Sequence, residues 1–258
     1  MWAKSNEGQQ IYGLIGYPLG HSFSKDYFNK KFSLLRLNAI YENFELSSAH
    51  SFPELLHRFP NLCGLNVTLP YKEAIIPYLD ALSPEAKAIQ AVNVIRFTPQ
   101  GLIGYNSDYY GFLTSFRPLL RPFDRCAIVL GTGGAARAVA YALSLLGISV
   151  QFVSRTKRMG VITYEELADM KLLATTSLVI NCTPFGMHPH TTTFPPLPYR
   201  EISSYHLLYD LIYNPAETLF LSRGKEQGAM TKNGLEMLHL QAEKAWDVWQ
   251  EPFATSSF

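Results

Sequence analysis

A glycine-rich turn is the clearest candidate for chemistry in this sequence. Its residues, 131–136 (GTGGAA), follow the apolar run 126–130 directly and open a helical pattern over 134–146. The first glycine permits a tight bend, the second lets the backbone approach a pyrophosphate, and the small last residue lets the helix pack on the strand. The helix N-terminus then offers N–H groups to phosphates. The pattern predicts a dinucleotide site at Gly131, Gly133, Gly134 and Ala135.

The residues after the next strand indicate which dinucleotide binds. NAD enzymes usually place an acid there to hold the ribose hydroxyls, but this chain has no acid between 154 and 164. An arginine fork suits a 2′-phosphate, which a carboxylate would repel. The segment therefore favours NADP(H), and the alternative is a solvated basic turn. The predicted coenzyme contacts here are Ser154, Arg155, Thr156 and Arg158.

The first half of the chain carries four polar loop motifs. They are 16–24 (GYPLGHSFS), 66–72 (NVTLPYK), 91–93 (AVN) and 104–108 (GYNSD). They present hydroxyls and amides together with Lys72 and Asp108. Each residue also has a plain structural interpretation: Lys72 as a solvated charge, Asp108 or the serines as helix caps, and Asn93 as a turn residue.

These motifs occur in order with 181–186 (NCTPFG), 210–215 (DLIYNP) and 233–241 (NGLEMLHLQ). Together they resemble the shikimate dehydrogenase family across almost the whole chain. The resemblance implies an NADP-dependent oxidoreductase acting on a CH–OH group. Its reaction would be the reversible NADPH-dependent reduction of 3-dehydroshikimate to shikimate, on the route to chorismate and the aromatic amino acids.

The resemblance also implies roles for individual residues. Lys72 and Asp108 would be the catalytic pair, while Leu211 and Gly234 meet the nicotinamide end and Thr183 also contacts the coenzyme. Lysine can protonate the alkoxide that hydride addition leaves, and neutral donors and acceptors suit a small anion rich in hydroxyls. The implied substrate contacts are Ser22, Ser24, Asn66, Thr68, Asn93, Tyr213 and Gln241.

The alternation of strands and helices predicts an α/β protein. We expect two domains with a cleft between them: a substrate domain over 1–108 plus 233–258, and a Rossmann-like, doubly wound NADP-binding domain over 109–232. The predicted helices are 24–37, 134–146, 164–173 and 234–250. The predicted strands are 11–16, 39–45, 62–67, 91–97, 102–105, 126–130, 148–153, 177–181 and 207–212.

Composition excludes several other classes of protein. The 258 residues carry a net charge of +1, so a nucleic-acid or membrane-surface protein is not expected. The polar residues 1–10 argue against a signal peptide. Three cysteines without metal spacing fit a reducing cytoplasm, with Cys126 and Cys182 as buried thiols. His188 and His190 lack a third ligand, so no metal is expected. A monomer or homodimer is expected.

Two other functions stay open, and the chain departs from the family's pattern at Lys25, Val94 and Ser154 and in the length of one segment. The alternatives are a quinate/shikimate dehydrogenase that uses NAD and a non-catalytic dinucleotide-binding module. Ser154 stands where the family usually has asparagine. Only residues 157–177 separate Thr156 from Leu178, where the family typically has a further helix. We therefore expect weaker binding of the adenosine end of the coenzyme.

Overall fold

The computed structural model of the chain describes residues 8–20 and 23–252, which form two α/β units. One unit comprises Met1–Ser107 and Ala242–Phe258, and the other comprises Asp108–Gln241. The first boundary lies one residue before the predicted one, while 233–241 fall in the second unit. The division into substrate and coenzyme domains by function stays a prediction.

The first unit is built on a mixed sheet of six strands, in the order β2-β1-β3-β5-β6-β4. Strands β1, β2 and β3 are parallel, whereas β5 runs antiparallel to β3 and forms a hairpin with β6. The hairpin turns between Thr98 and Gly101, which pair with each other. The strands are β1 (Gln10–Gly16), β2 (Ala39–Glu45), β3 (Leu62–Val67), β4 (Ala81–Leu82), β5 (Val94–Thr98) and β6 (Gly101–Tyr105).

Both faces of this sheet are covered. Ile11 and Ile15 on β1 pack into one apolar cluster, while Tyr12 and Leu14 pack into another. Since successive side chains of a strand point to opposite faces, an uninterrupted apolar run is typical of a strand buried on both sides. The first helices are α1 (Phe23–Leu34), α2 (Phe52–Arg58), α3 (Tyr71–Ala74) and α4 (Pro84–Ile89), with 3₁₀ turns at Ala49–Ser51 and Ile76–Tyr78.

The second unit is a doubly wound parallel sheet, as predicted. Its strand order is β9-β8-β7-β10-β11-β12, and all five pairings are parallel. The order reverses between β7 and β10, which is where such sheets bind ligands beyond their carboxyl ends. The strands are β7 (Cys126–Leu130), β8 (Ser149–Val153), β9 (Val161–Ile162), β10 (Leu178–Asn181), β11 (Leu207–Asp210) and β12 (Met230–Lys232).

Residues with positive φ lie where two helical segments of this unit end. Helix α6 stops at Leu145, and Gly147 follows it with a φ of 72°. The helix predicted over 164–173 is broken by Lys171, whose φ is 51°. The helices are α5 (Asp108–Phe116), α6 (Gly134–Leu145), α7 (Tyr164–Asp169), α8 (Leu219–Glu226) and α9 (Leu235–Gln250), with 3₁₀ turns at Arg117–Leu119, Leu172–Ala174 and Tyr199–Glu201.

One expected core residue lies at the surface. Cys126 is exposed, so the prediction of a buried thiol there was wrong. Its strand starts at the rim of the sheet, opposite the exposed Ser149, and only the following four residues are buried. Across residues 8–20 and 23–252, no helix combines the length and apolar character that a membrane crossing needs.

The end of α9 packs on the sheet of the first unit through Trp249. A Cβ at Gly64 would lie 2.5 Å from the indole Nε1, so the ring and β3 are in close contact. That nitrogen donates a hydrogen bond to the Ile95 carbonyl over 3.1 Å. The ring centroid lies 5.0 Å from Tyr12 and 5.2 Å from Phe28. Trp249 therefore joins the helix to β1, β3 and β5 and to α1.

We expect Trp249→Ala to lower the free energy of unfolding by about 3–5 kcal/mol, because it leaves a cavity where a large buried ring had packed. Urea unfolding followed by circular dichroism measures the change. Leu34→Ala is the control, since Leu34 is 75% exposed and should cost less than about 0.5 kcal/mol. Equal losses in the two variants would contradict this account of the packing.

Candidate functional site

The glycine-rich turn has the geometry that a pyrophosphate site requires. Gly131 has a φ of 102°, which favours glycine, and its N–H donates to the Val153 carbonyl over 2.8 Å. Gly133 is the N-cap of α6, no side chain caps the helix, and a Cβ built there would meet no atom within 4 Å. Ala136 is fully buried, as close packing of helix on strand demands. The uncapped helix start and the open space beside it suit a phosphate.

The loop after β10 lies next to this turn. The Cys182 carbonyl oxygen is 3.2 Å from where a Gly131 Cβ would be. Asn181 is fully buried, and its Oδ1 accepts hydrogen bonds from the Thr183 backbone N–H (3.0 Å) and hydroxyl (2.6 Å). The predicted coenzyme contact Thr183 is thus held in one orientation by the last residue of the strand.

Asp210, the last residue of β11, likewise fixes the loop that follows its strand. Its fully buried carboxylate accepts from Asn181 Nδ2 (3.0 Å), the Ile212 backbone N–H (3.1 Å) and the Thr218 hydroxyl (2.6 Å). Loss of hydration on burial raises the pKa of Asp210 from 3.8 to about 7, with the three hydrogen bonds opposing that rise. Asn181 and Asp210 were not predicted as site residues, although each is the polar end of an apolar strand run.

Leu211 and Gly234, both predicted to meet the nicotinamide, lie against each other. A Cβ on Gly234 would be 2.0 Å from the Leu211 carbonyl oxygen, so only glycine fits. The Gly234 N–H donates to the Ile212 carbonyl over 3.0 Å. Tyr213, a predicted substrate contact, follows on the same loop and is 37% exposed.

The basic turn after β8 is exposed from Arg155 to Arg158. Ser154 Oγ accepts from the Thr156 N–H over 3.3 Å. Lys157 forms an ion pair with Glu166 of α7. Residues 154–164 contain no acid, but the fold brings Glu166 to the turn. Burial raises the pKa of Tyr164 to about 12, and the Arg155 charge opposes that rise, which places Arg155 near this ring.

Four predicted residues of the first unit lie at or beside the carboxyl end of the central strand β3. Asn66 and Asn93 are buried, and Asn66 Nδ2 donates to the Asn93 carbonyl over 3.2 Å. Two backbone hydrogen bonds hold the other two residues. The Thr68 N–H donates to the Ile15 carbonyl over 2.9 Å, and the Lys72 carbonyl accepts from the Val92 N–H over 2.7 Å. These bonds hold the four residues at the carboxyl end of β3.

The side chain of Asn93 is partly committed to structure. Its Oδ1 accepts from the Ser107 N–H over 2.6 Å, and its Nδ2 donates to the Ser107 hydroxyl over 3.0 Å. The turn-satisfying interpretation therefore describes part of its role. Ser24 lies in α1 and lowers the pKa of the nearby Tyr41 phenol against the effect of burial, whereas Ser22 lies outside the described residues.

The remaining predicted residues belong to the second unit. Asp108 is the first residue of α5 and is buried. The pKa of the Cys182 thiol is raised mainly by burial, then by the charge of Asp210 and last by that of Asp108. Gln241 lies in α9, where its Nε2 donates to the Leu238 carbonyl over 3.1 Å. In the described part of the chain, no three His, Cys, Asp or Glu side chains are grouped to hold a metal ion.

We expect Asp210→Asn to change how stability depends on pH. With a folded-state pKa of about 7 and an ordinary value of 3.8, the native carboxyl keeps its proton where the unfolded one loses it. Its contribution to stability therefore falls as pH rises between these values. A neutral amide has no such loss, so the variant should gain about 1–3 kcal/mol relative to the native protein between pH 5 and 8.

Urea unfolding at pH 5, 6, 7 and 8 measures this difference. Asp169→Asn is the matched control, since Asp169 is exposed at the end of α7. A gap between the Asp210→Asn variant and the native protein that stays constant over this range would contradict the raised pKa of Asp210.

Known proteins resemble the chain over nearly its full length. Residues 14–95 match the family model of the shikimate dehydrogenase substrate binding domain. The shikimate dehydrogenase (NADP(+)) of Carboxydothermus hydrogenoformans is 40% identical over 260 residues, covering 95% of this chain and 92% of the relative.

Solved structures agree in fold. The shikimate 5-dehydrogenase of Thermus thermophilus, in complex with NADP(H) and shikimate, gives a TM-score of 0.81 at 31% identity, covering 94% of each chain. The enzyme from Listeria monocytogenes, in complex with shikimate and NAD, gives 0.84 at 26% identity, covering 96% of this chain and 94% of the other. Sequence and fold thus agree along the chain, which belongs to the shikimate dehydrogenase family.

Proposed function

We propose that the chain catalyses the reversible reduction of 3-dehydroshikimate to shikimate with NADPH. The observation that carries the proposal is the carboxyl end of β3, where the buried Asn66 and Asn93 are hydrogen-bonded and Thr68 and Lys72 follow along the chain. A second support is the Gly131 turn at the reversal point of a parallel sheet, which suits a dinucleotide. The simplest experiment follows nicotinamide absorbance with shikimate and NADP.

The proposed chemistry needs one proton donor. The coenzyme supplies a hydride to the ketone carbon, and the oxygen of that ketone then requires a proton. Lys72 would donate it as an ammonium and recover it in the reverse direction. Asp108, buried at the start of α5, would accept a hydrogen bond from a substrate hydroxyl.

The substrate would be recognised by neutral hydrogen-bonding groups. A site built to pair with particular hydroxyls rejects analogues that lack them, because its own buried polar groups are then left without partners. Asn66 and Asn93 are buried in this way. Ser22, Ser24, Tyr213 and Gln241 would complete the set. Quinate turned over as fast as shikimate would contradict this specificity.

The coenzyme preference would rest on two exposed arginines. Arg155 and Arg158 both lie in the turn after β8, while Lys157 is engaged with Glu166. Planar guanidinium groups bind phosphate through paired N–H donors. An NAD-linked enzyme is the alternative, and a comparison of kcat/KM for NADP and NAD decides between them.

The proposal also includes the cellular setting. We infer a reducing cytoplasm, in which the free cysteines Cys63, Cys126 and Cys182 are expected, and a monomer or homodimer. A non-catalytic dinucleotide-binding module would bind NADP(H) without oxidising shikimate.

We expect Lys72→Ala to lower kcat by about 10²- to 10⁴-fold, the usual contribution of a general acid. Steady-state rates of shikimate oxidation measure it, with coenzyme binding checked by nucleotide fluorescence. Lys87→Ala is the control, because Lys87 is an exposed lysine on the neighbouring α4. Unchanged turnover in the Lys72→Ala variant would remove lysine from the mechanism.

We expect Arg155→Ala to raise KM for NADP by roughly 10- to 100-fold, the equivalent of one or two charge-assisted hydrogen bonds. KM for NAD should change by less than about threefold, since NAD lacks the 2′-phosphate. Lys157→Ala is the matched control from the same turn, and its effect should be smaller because Glu166 pairs with that charge. Equal losses with both coenzymes would contradict the role of Arg155.

A further inference from the structure

A buried tyrosine contacts one of the proposed substrate contacts and lies near another. The Tyr41 side chain is fully buried on β2, and its hydroxyl lies 2.8 Å from Asn66 Oδ1. Ser24 opposes the rise in the pKa of this phenol that burial causes, which places Ser24 near the ring. None of the sequence motifs includes Tyr41, so nothing in the proposed function explains why a hydroxyl is placed there.

The direction of the bond to Asn66 follows from the other end of the amide. Asn66 Nδ2 donates to the Asn93 carbonyl over 3.2 Å, and a carbonyl can only accept. The amide oxygen must therefore face Tyr41, whose hydroxyl is the donor. Both ends of the amide are fixed, so its plane and its remaining N–H have one orientation.

The backbone of Tyr41 is tied to the helix that carries Ser24. Strand β2 lies at the edge of the sheet, where backbone groups need partners outside the ladder. Asn29 of α1 supplies them: its Oδ1 accepts from the Tyr41 N–H over 2.9 Å and its Nδ2 donates to the Tyr41 carbonyl over 3.0 Å. Lys25 of α1 also pairs with Glu42 of β2 over 2.7 Å.

The ring itself is held by aromatic packing. Tyr41 stacks on Phe28 with centroids 4.8 Å apart and lies 6.5 Å from the ring of Trp249. Burial raises the pKa of the phenol well above its ordinary value, so the hydroxyl keeps its proton. A fixed ring with a permanent donor can set the geometry of Asn66.

We propose that Tyr41 is a positioning residue of the substrate site, because its hydroxyl orients the Asn66 amide. This inference rests on the proposed function, in which Asn66 and Ser24 bind the substrate. Tyr41 itself touches no substrate atom in this scheme and acts through Asn66.

The test removes only the hydroxyl. In the Tyr41→Phe variant we expect KM for shikimate to rise about 5- to 50-fold, since Asn66 loses its fixed orientation and a buried acceptor loses its donor. The value of kcat should stay within about threefold, and KM for NADP should not change.

Tyr209→Phe is the matched control. Tyr209 is also fully buried, and its hydroxyl lies 2.7 Å from Ser115 Oγ in the second unit. It loses the same atom from a similar hydrogen bond, so its stability should fall comparably while KM for shikimate stays unchanged. A rise in KM in both variants would make the effect merely structural and overturn the inference.

Coupling to Asn66 is tested by a double-mutant cycle. If Tyr41 acts through Asn66, adding Tyr41→Phe to Asn66→Ala should raise KM no further, whereas additive effects would overturn the inference. Calorimetric titration with shikimate gives the same comparison without turnover. A native protein that neither binds nor oxidises shikimate would defeat the proposed function, whereas a native enzyme with an unaffected Tyr41→Phe variant would defeat only this inference.

Discussion

The Asp210 carboxylate accepts three hydrogen bonds at the end of a buried parallel strand, and the geometry of the proposed coenzyme site depends on them. Parallel strands end at one common edge, where the chain must turn and leave the hydrogen-bonding pattern of the sheet. Backbone polar groups there need new partners, since an unpaired buried one is costly. Asp210 and Asn181 supply partners from side chains, and the loops holding Thr183 and Leu211 are fixed as a result.

The first unit meets the same constraint with neutral groups. Asn93 satisfies the Ser107 N–H, and Asn66 bonds the Asn93 carbonyl and receives the Tyr41 hydroxyl. Amides and a phenol with a raised pKa do not titrate near neutral pH. The hydrogen bonds around Asn66 should therefore be insensitive to pH. Those around Asp210 should change near pH 7, where burial places the pKa of its carboxyl. The proposed substrate site thus rests on neutral hydrogen-bonding groups, and the proposed coenzyme site rests on an ionisable carboxyl.

Much of this architecture was predictable because its signals are local. The glycine-rich turn was identified from residue types alone, and Gly131 has the positive φ that the pattern requires. Strands 39–45, 62–67 and 126–130 agree with β2, β3 and β7 to the residue. Of these, 126–130 is an uninterrupted apolar run, whereas the other two also contain polar residues. The predictions failed where a signal was short or ambiguous. The three-residue strand β12 was missed, and Cys126 was expected inside.

The sequence by itself determined the doubly wound parallel sheet of the second unit, the order of the motifs and the resemblance to a family, because these depend on local spacing along the chain. Only the tertiary structure decided which distant side chains meet. It brought Glu166 to Lys157, Asp210 to Asn181 and Tyr41 to Asn66. Such pairs are separated by up to 29 residues, and no periodicity encodes them. They form because packing the sheets buries polar groups that must then find partners.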